Sequence, residues 1–300
     1  MPRSKNMWAA SNRLLGHSAA IGVICFLGGC VKPSAVDDFA KVSAQAAQLF
    51  PAVAAIPYDG CIAREENAQI QQATSFNGDI SFNQERFAAS CAEEAKTKAR
   101  LERTYAVLAE YIQTLAKLAG GSDPTYDKQV TGLAGAIPGL KKNEQSAASG
   151  LANVIVNAFA KHWRERQASK AIEMAQPHVL VITALFEDEI PKFLNENLNS
   201  QRDSLISLYL DAYQRKEKGG IILTNPVLIT KEFAEAQRAI EDKRAAVQAF
   251  EKIAAKIREG HTALYNDRNK LFTPDSLEEL FQVSSAMKTQ VAAAQKALKH

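Results

Sequence analysis

The feature that most restricts the fold of this chain is an apolar repeat whose spacing alternates between three and four residues. Near the C-terminus it occupies Leu277, Leu280, Ser284, Met287, Val291, Ala294 and Leu298. A second repeat occupies Leu101, Tyr105, Leu108, Ile112, Leu115 and Ala119, and two glycines follow it. This spacing gathers apolar side chains on one stripe of an α-helix, which packs against other helices. Both segments are predicted to be long helices of a bundle.

Much of the remaining chain is rich in good helix formers and is divided by prolines and glycines. Helices are predicted over 83–119, 143–176, 178–218 and 230–259. Asn83 is the predicted cap of the first helix, and Pro177 is expected to end the second. Pro191 is expected to kink or split the third near Glu187–Ile190, because proline cannot donate a backbone hydrogen bond.

Only one stretch has a strand-like composition. In "GGIILTNPVLIT", residues 219–230, two triplets of branched apolar residues flank a turn signal that contains Asn225-Pro226. The stretch is either a small hairpin or a loop that packs its apolar residues across one end of the bundle. The predicted fold class is all-α: an elongated antiparallel helical bundle with long coiled-coil-like helices, roughly five to seven in number.

The first thirty residues have a composition found nowhere else in the chain. Arg3, Lys5 and Arg13 precede a short apolar core over 18–29, and no acidic residue occurs before Asp37. A positive start, an apolar core of about 7–15 residues and small residues before a cleavage point are typical of a secretory signal peptide. The core is shorter than the roughly 20 apolar residues of a membrane-spanning helix.

The end of this segment, Leu27-Gly28-Gly29-Cys30, resembles the lipobox of bacterial lipoproteins. The resemblance covers residues 1–30 and implies that Cys30 receives a diacylglyceryl group and becomes the first residue after cleavage. It also implies an acyl anchor in the cell envelope. Val31, which is not an aspartate, favours the outer membrane, with the protein facing the periplasm. The predicted organisation is a cleaved signal peptide at 1–29, a lipidated tether at 30–36 and one helical-bundle domain at 37–300.

The excess positive charge of the chain lies in this leader. The whole sequence has 36 basic and 33 acidic residues, and three of the basic residues precede Cys30. Without those three, the basic residues also number 33. A nucleic-acid-binding protein normally has a basic face or stripe, so no nucleic-acid partner is predicted.

Two cysteines remain after the lipobox, Cys61 and Cys91. Disulfides persist in the periplasm, so a Cys61–Cys91 bridge is expected. Such a bridge would stabilise the fold by ~3–4 kcal/mol in the chain-entropy model. The alternative is two separately buried thiols. No further ligand lies at metal-binding spacing, so a zinc site is not predicted.

The sequence contains none of the usual motifs of hydrolases, zinc proteases or nucleotide-binding proteins. Four histidines follow the leader, and they are scattered: His162, His178, His261 and His300. The acidic cluster Glu187-Asp188-Glu189 is interpreted as a solvated turn, because adjacent residues of a helix face different directions. No catalytic residue, metal site or cofactor is predicted, and the protein is not expected to be an enzyme.

These features favour a lipid-anchored scaffold, adaptor or accessory interaction protein of the cell envelope, with an envelope protein as its partner. Exposed apolar patches mark such partner sites. We expect the patch in six branched residues: Ile221, Ile222, Leu223, Val227, Leu228 and Ile229. One alternative is an anchored immunity protein or inhibitor that blocks a periplasmic toxin or hydrolase.

A second alternative is a bundle that binds a small ligand or lipid between its helices. Tyrosines on or beside the apolar stripes would then line the groove instead of filling the core: Tyr105, Tyr111, Tyr209, Tyr213 and Tyr265.

Overall fold

A computed structural model describes residues 34–72, 83–119, 140–160, 165–217, 226–269 and 273–299. Its helices are α1 (Ser34–Ala54), α2 (Ile56–Gln72), α3 (Gln84–Ser90), α4 (Ala92–Ala119), α5 (Lys142–Ala160), α6 (Glu165–Ala184), α7 (Ile190–Glu217), α8 (Pro226–Asn266) and α9 (Pro274–Ala297). A π-helical turn, Leu185–Glu189, joins α6 to α7. The described residues contain no strand. The all-α fold class is confirmed.

Helices α1 and α2 form one interrupted rod. The Ala55 amide donates to the carbonyl of Pro51 at 3.0 Å, and the Asp59 amide donates to the carbonyl of Ala55 at 2.9 Å. Pro57 has no amide hydrogen to donate, which explains the break beside it. The rod begins at Ser34, three residues before the expected start of the helical domain.

The rod of α6, the π-helical turn and α7 corrects one prediction and confirms another. The prediction that Pro177 ends a helix is wrong, because α6 continues through it to Ala184. Pro177 is exposed, whereas Ala175, Val179 and Ile182 on the inner side are fully buried. Burial of this inner side offsets the cost of about 3 kcal/mol for a helical proline.

The predicted interruption near Pro191 is present. The amide of Ile190 donates to the carbonyl of Leu185, five residues earlier, so the irregularity is a π-helical turn. Pro191 itself lies in the first turn of α7, where a missing amide hydrogen costs little.

The segment 83–119 is a helix interrupted at Cys91 and not one continuous helix. Asn83 caps α3 as predicted, because its Oδ1 accepts a hydrogen bond of 2.9 Å from the Arg86 amide. Cys91 lies between α3 and α4. Its φ of −99° and ψ of 21° depart from helical values and produce the break.

The hairpin alternative for residues 219–230 is wrong in its second half. Helix α8 begins at Pro226, so Val227, Leu228 and Ile229 belong to its first turn. Proline is well suited to this position, because the first helical residue needs no amide partner. Residues 218–225 lie outside the described part of the chain.

Four aromatic side chains from four parts of the chain meet in the core. The Phe50 ring of α1 stacks on the Tyr105 ring of α4, with centroids 4.4 Å apart. Phe186 of the π-helical turn and Phe250 of α8 each lie edge-on to Phe50, at 5.3 Å. The same core extends along α9, whose repeat is buried at Leu280, Ser284, Met287, Val291 and Ala294.

Contacts along α8 fix the direction of the neighbouring rods. From one end of α8 to the other they pair His261 with Gln176, Arg258 with Glu187, Arg244 with Asn199 and Phe233 with Tyr209. Residue numbers rise along α6–α7 as they fall along α8, so these rods are antiparallel. The α1–α2 rod is also antiparallel to α8, since Phe39 lies beside Gly260 and Phe50 beside Phe250.

These pairings define two ends of the described helical bundle. We call the end that holds Ser34, Asn266 and Pro274 the base. The opposite end, where α8 begins at Pro226, is the tip. Between the tip and the aromatic cluster lies a segment that we call the arm: residues 62–72, 199–212 and 227–239. None of the arm residues is buried, and the described residues on the base side of the arm are called the core body.

Candidate functional site

The arm consists of two helix pairs that share α7. Helix α2 packs on one side of α7, and α8 packs on another. α2 and α7 run in the same direction, because Asn67 Nδ2 donates to Ser204 Oγ and Gln71 Nε2 donates to Ser207 Oγ, each at 3.2 Å. Polar side chains therefore contribute to the contact between α2 and α7 in the arm, whereas helix contacts in the core body depend on buried apolar residues.

A cleft of about 220 Å³ runs along the arm. It is lined by Ala63, Asn67, Gln201, Leu205, Ala236, Ala239, Ile240 and Lys243. The cleft stays open because the alanine side chains of α2 and α8 are too short to meet across α7. Typical small-molecule sites measure about 300–1,000 Å³, so this cleft is small for such a ligand.

The end of the arm exposes large apolar side chains. Val227 is 73% exposed, Leu210 is 55% exposed and Leu228 is 50% exposed. We call these three residues the apolar tip. Val227 and Leu228 belong to the first turn of α8, and Leu210 belongs to the last two turns of α7.

An aromatic pair lies in the arm, next to Leu210 in the sequence. The rings of Tyr209 and Phe233 lie 5.2 Å apart between centroids and join α7 to α8. Both side chains are half-buried. Burial raises the pKa of Tyr209, and the neighbouring Glu232 raises that pKa further.

The predicted partner-binding residues divide into two groups. Val227 and Leu228 are exposed and Ile229 is half-buried, all on a helix and not on a loop. Ile221, Ile222 and Leu223 lie outside the described residues. Cys30 also lies outside them, so its lipidation stays a prediction.

Sequence reasoning missed Leu210. The apolar stripe of this region passes through Leu205, Leu208 and Tyr209, and Leu210 is out of phase with it. A large apolar residue off the stripe of an amphipathic helix is expected to face solvent. That phase difference is the signal that could have identified Leu210.

The predicted disulfide lies where the arm meets the core body. Cys61 is bonded to Cys91 with their Cα atoms 5.8 Å apart, so the alternative of two free thiols is wrong. Cys61 precedes the arm in α2, and Cys91 lies between α3 and α4. We call the part of α2 that immediately precedes the arm, Gly60 and Cys61, the root of the arm, and the bond fixes it to the start of α4.

The core body contains a buried polar network. His261 is 1% exposed, and its Nδ1 lies 2.7 Å from Gln176 Oε1. Because the amide oxygen can only accept, Nδ1 carries the proton and donates. His261 Nε2 then accepts from the Tyr111 hydroxyl, also at 2.7 Å. Burial lowers the pKa of His261 to about 3, so its ring is neutral at physiological pH.

Tyr105 and Tyr111 fill the core as expected. Both are fully buried, and burial raises the pKa of each hydroxyl. Tyr111 donates to His261, whereas no partner among the described residues lies within hydrogen-bond distance of the Tyr105 hydroxyl. Tyr265 is half-buried at the base, where the Arg268 guanidinium lies 4.3 Å from its ring centroid. The side chain of Tyr213 lies outside the described residues.

The acidic cluster is only partly a solvated turn. Asp188 pairs with Lys192 at 2.6 Å and Glu189 pairs with Lys141, all with exposed side chains. The interpretation is wrong for Glu187, whose side chain is 14% exposed and pairs with Arg258 at 2.6 Å. Burial raises the pKa of Glu187, although Arg258 opposes that shift.

Two further searches concern the described residues alone. No three of their histidine, cysteine and acidic side chains come together as a metal-binding group. One helical segment, Ala35–Gln72, contains a stretch long and apolar enough to cross a membrane, and about half of that stretch is buried against other helices. Core helices of soluble bundles meet the same criteria, so this segment is weak evidence for a membrane span.

Comparison with known proteins gives no family for the chain. No protein-family model, curated protein or solved structure matches it.

Proposed function

We propose that this protein is a lipid-anchored interaction protein of the cell envelope and that the apolar tip contacts a partner protein. The observation that carries the proposal is the exposure of Leu210, Val227 and Leu228 at the tip end of α7 and α8. Among the described residues, seven large apolar side chains are exposed, and these three belong to one end of a single helix pair. Exposed apolar clusters are typical of protein contact sites.

The construction of the arm supports this role. Its helices continue beyond the buried core, although none of the arm residues is buried. An extension of this kind contributes little burial to the stability of the fold. It does place an apolar surface outside the core body, where a partner can cover it and gain about 25 cal/mol per Å² of apolar area removed from water.

The anchor is the second part of the proposal, and it rests on the sequence. The lipobox-like Leu27-Gly28-Gly29-Cys30 is the reason for an envelope location. A single acyl chain binds membranes only reversibly, and two or three chains anchor stably. Cys30→Ala is therefore expected to remove the acyl anchor, seen as the loss of the acyl mass at residue 30, without affecting the helical fold.

Site-specific photocrosslinking in intact cells tests the proposal. A photoreactive amino acid at Leu210 or Leu228 is expected to crosslink one specific envelope protein. Phe281 of α9 is 51% exposed and belongs to the core body, so it is the matched control position. Crosslinks to the same protein from Phe281 with equal yield, or none from the tip, would contradict the proposal.

A paired substitution separates binding from folding. Val227→Ser with Leu228→Ser is expected to abolish the specific crosslink from Leu210 and to leave the helical circular dichroism unchanged. Phe281→Ser is the control and is expected to leave the crosslink intact. If the tip variant loses its helical signal, the tip is part of the folding core and the interpretation as a contact surface is wrong.

A further inference from the structure

The position of α1 in the fold constrains how an anchored molecule stands on a membrane. Helix α1 begins at Ser34, and its first turn is already packed, with Ala35 and Val36 each 5% exposed or less. Further along α1, the Phe39 ring lies against Gly260 of α8, and Val283 of α9 lies beside the same glycine. The start of α1 is therefore fixed to the base of the core body.

Little chain separates this fixed point from the predicted acyl anchor. Three residues lie between Cys30 and Ser34. Because an extended chain covers at most 3.3–3.6 Å per residue, the four steps from Cys30 to Ser34 span at most about 14 Å. An anchor at Cys30 therefore holds the base close to the membrane surface.

The apolar tip lies at the other end of a long axis. Helix α8 has 41 residues and runs from the tip to the base. At 1.5 Å per residue its length is about 60 Å. The α1–α2 rod starts at the base and runs antiparallel to α8 into the arm, so the anchor and the tip lie at opposite ends.

We propose that the base is the membrane-facing surface of this protein and that the arm projects the apolar tip away from the anchoring membrane. The partner is then a protein that presents its contact surface outside that membrane, and not a lipid surface. This inference rests on the anchor in the proposed function. It adds the orientation of the molecule and the side of the membrane surface on which the partner is met.

The sides of the core body favour an orientation with the base on the membrane over one in which the molecule lies flat on it. Ion pairs with exposed side chains occur on several helices, including Lys96 with Glu93 on α4 and Lys192 of α7 with Asp188 of the π-helical turn. Such pairs remain hydrated and have no reason to enter the apolar part of a bilayer. The competing surface is on α6, where Met174 is 41% exposed and Leu180 is 39% exposed.

Energy transfer from the protein to the membrane surface tests the orientation. The full-length lipoprotein, purified with its acyl chains, is inserted into phosphatidylethanolamine–phosphatidylglycerol vesicles that carry acceptor-labelled head groups. A donor dye is attached at one introduced cysteine: Asn269→Cys at the base, Lys231→Cys in the arm or Glu173→Cys beside Met174. All three positions are exposed. The native cysteines are unreactive, because Cys61 and Cys91 are bonded and Cys30 carries its acyl group.

Transfer is expected to be several-fold more efficient from Asn269→Cys than from Lys231→Cys. Equal transfer from all three positions would show a molecule lying flat and would overturn the proposal. So would the strongest transfer from Glu173→Cys, which would identify the α6 surface as the membrane contact. Intact mass is measured first, because a protein without acyl groups at Cys30 would overturn both the anchor and the orientation. A flat but acylated protein would overturn the orientation alone and leave the interaction function standing.

A linker variant tests whether the short tether causes the orientation. Insertion of sixteen glycine and serine residues before Ser34 adds an r.m.s. length of about 20–24 Å. It is expected to reduce the difference in transfer between Asn269→Cys and Lys231→Cys by allowing the body to turn. An unchanged difference would overturn the tether as the cause.

Discussion

Three helical rods, α1–α2, α6–α7 and α8, run through both the core body and the arm, but the two regions are stabilised in different ways. In the core body, α4, α5 and α9 complete the packing, and residues such as Leu108, Ile253 and Met287 are fully buried. In the arm, only α2, α7 and α8 provide the three described stretches, and none of their residues is buried. Side-chain hydrogen bonds such as Asn67 to Ser204 replace part of the missing apolar contact.

The difference shows that a helix can extend beyond the core that stabilises it. Once a helix has nucleated in the core body, each added residue gains a backbone hydrogen bond without a new nucleation cost. Helical arms therefore need little burial of their own. Their outer surface is free to serve binding, and low local stability is common in such regions.

The largest expected contrast is between matched phenylalanines in the two regions. Phe50→Ala removes the ring at the centre of the aromatic cluster, and we expect it to lower the free energy of unfolding by about 3–5 kcal/mol. Phe233→Ala is the matched change in the arm, where the ring is only half-buried. Its expected cost is less than half as large. Urea denaturation followed by circular dichroism measures both, and equal losses would remove the distinction between the regions.

The disulfide variant tests the link between the regions. Cys61→Ala with Cys91→Ala opens a loop with a sequence separation of 30 residues. The expected loss of unfolding free energy is about 3–4 kcal/mol in the chain-entropy model. Hydrogen exchange of the same variant should show the first loss of protection in α2 and α3. Uniform loss across α9 as well would mean that the bond supports the whole bundle and not the root of the arm.

Acid is expected to destabilise the core body through His261. The pKa of His261 is about 3 in the folded protein and near 6.5 when unfolded, so only the unfolded chain takes up a proton between these values. The contribution of the neutral His261 ring to stability is therefore fully present above pH 6.5 and is lost as the pH falls below that value. At about 1.4 kcal/mol per pH unit, the loss from pH 6.5 to 4.5 is about 2–3 kcal/mol.

The effect of His261 can be separated from general acid denaturation. His261→Gln lacks the titrating ring, so the wild type should lose more stability than this variant between pH 6.5 and 4.5. His178→Gln is the control. Burial also lowers the pKa of His178, but its ring is partly exposed, so this substitution should change the pH dependence less than His261→Gln does. The arm contains no histidine. A pH dependence that is the same in the wild type and His261→Gln would refute the assignment.

Two Gly→Ala substitutions are expected to change the stability of the protein in opposite directions. At Gly260, an added Cβ would lie 2.7 Å from a ring carbon of Phe39, so Gly260→Ala should destabilise the protein by about 1–3 kcal/mol. At Gly60, near the root of the arm, the nearest atom is Arg64 Nη1 at 3.5 Å, an ordinary contact. Gly60→Ala should stabilise helix α2 by about 0.5–1 kcal/mol. Thermal unfolding of both variants checks the signs, and destabilisation by both would show that the arm root is as tightly packed as the core.

The repeats predicted the helices of the core body well, because their period directly reports a buried stripe. The repeat of α9 is buried at its five central positions. Helix α4 is buried more widely than its repeat indicates, since Thr104, Val107, Tyr111 and Thr114 are also inside. It packs against α1, α2, α5 and α6, and a sequence stripe does not show how many neighbours surround a helix.

The candidate site was less accessible to sequence reasoning. The branched residues after Pro226 were expected to form a hairpin or a loop, yet they begin a helix of 41 residues. β-branched residues have only slightly lower helix propensity than the best helix formers. A long helix that continues into the core outweighs that preference, so local composition misjudged the shape although it identified the apolar segment.

Local sequence patterns set the helical content, the Asn83 cap and the irregularity before Pro191, because these depend on neighbouring residues and on missing backbone donors. They also identified the cysteine pair. Long-range packing set the passage of α6 through Pro177, the burial of Glu187 beside Arg258 and the exposure of the apolar tip. Each of these depends on which helix, if any, lies opposite a given side chain, and that is fixed by contacts between residues far apart in the chain.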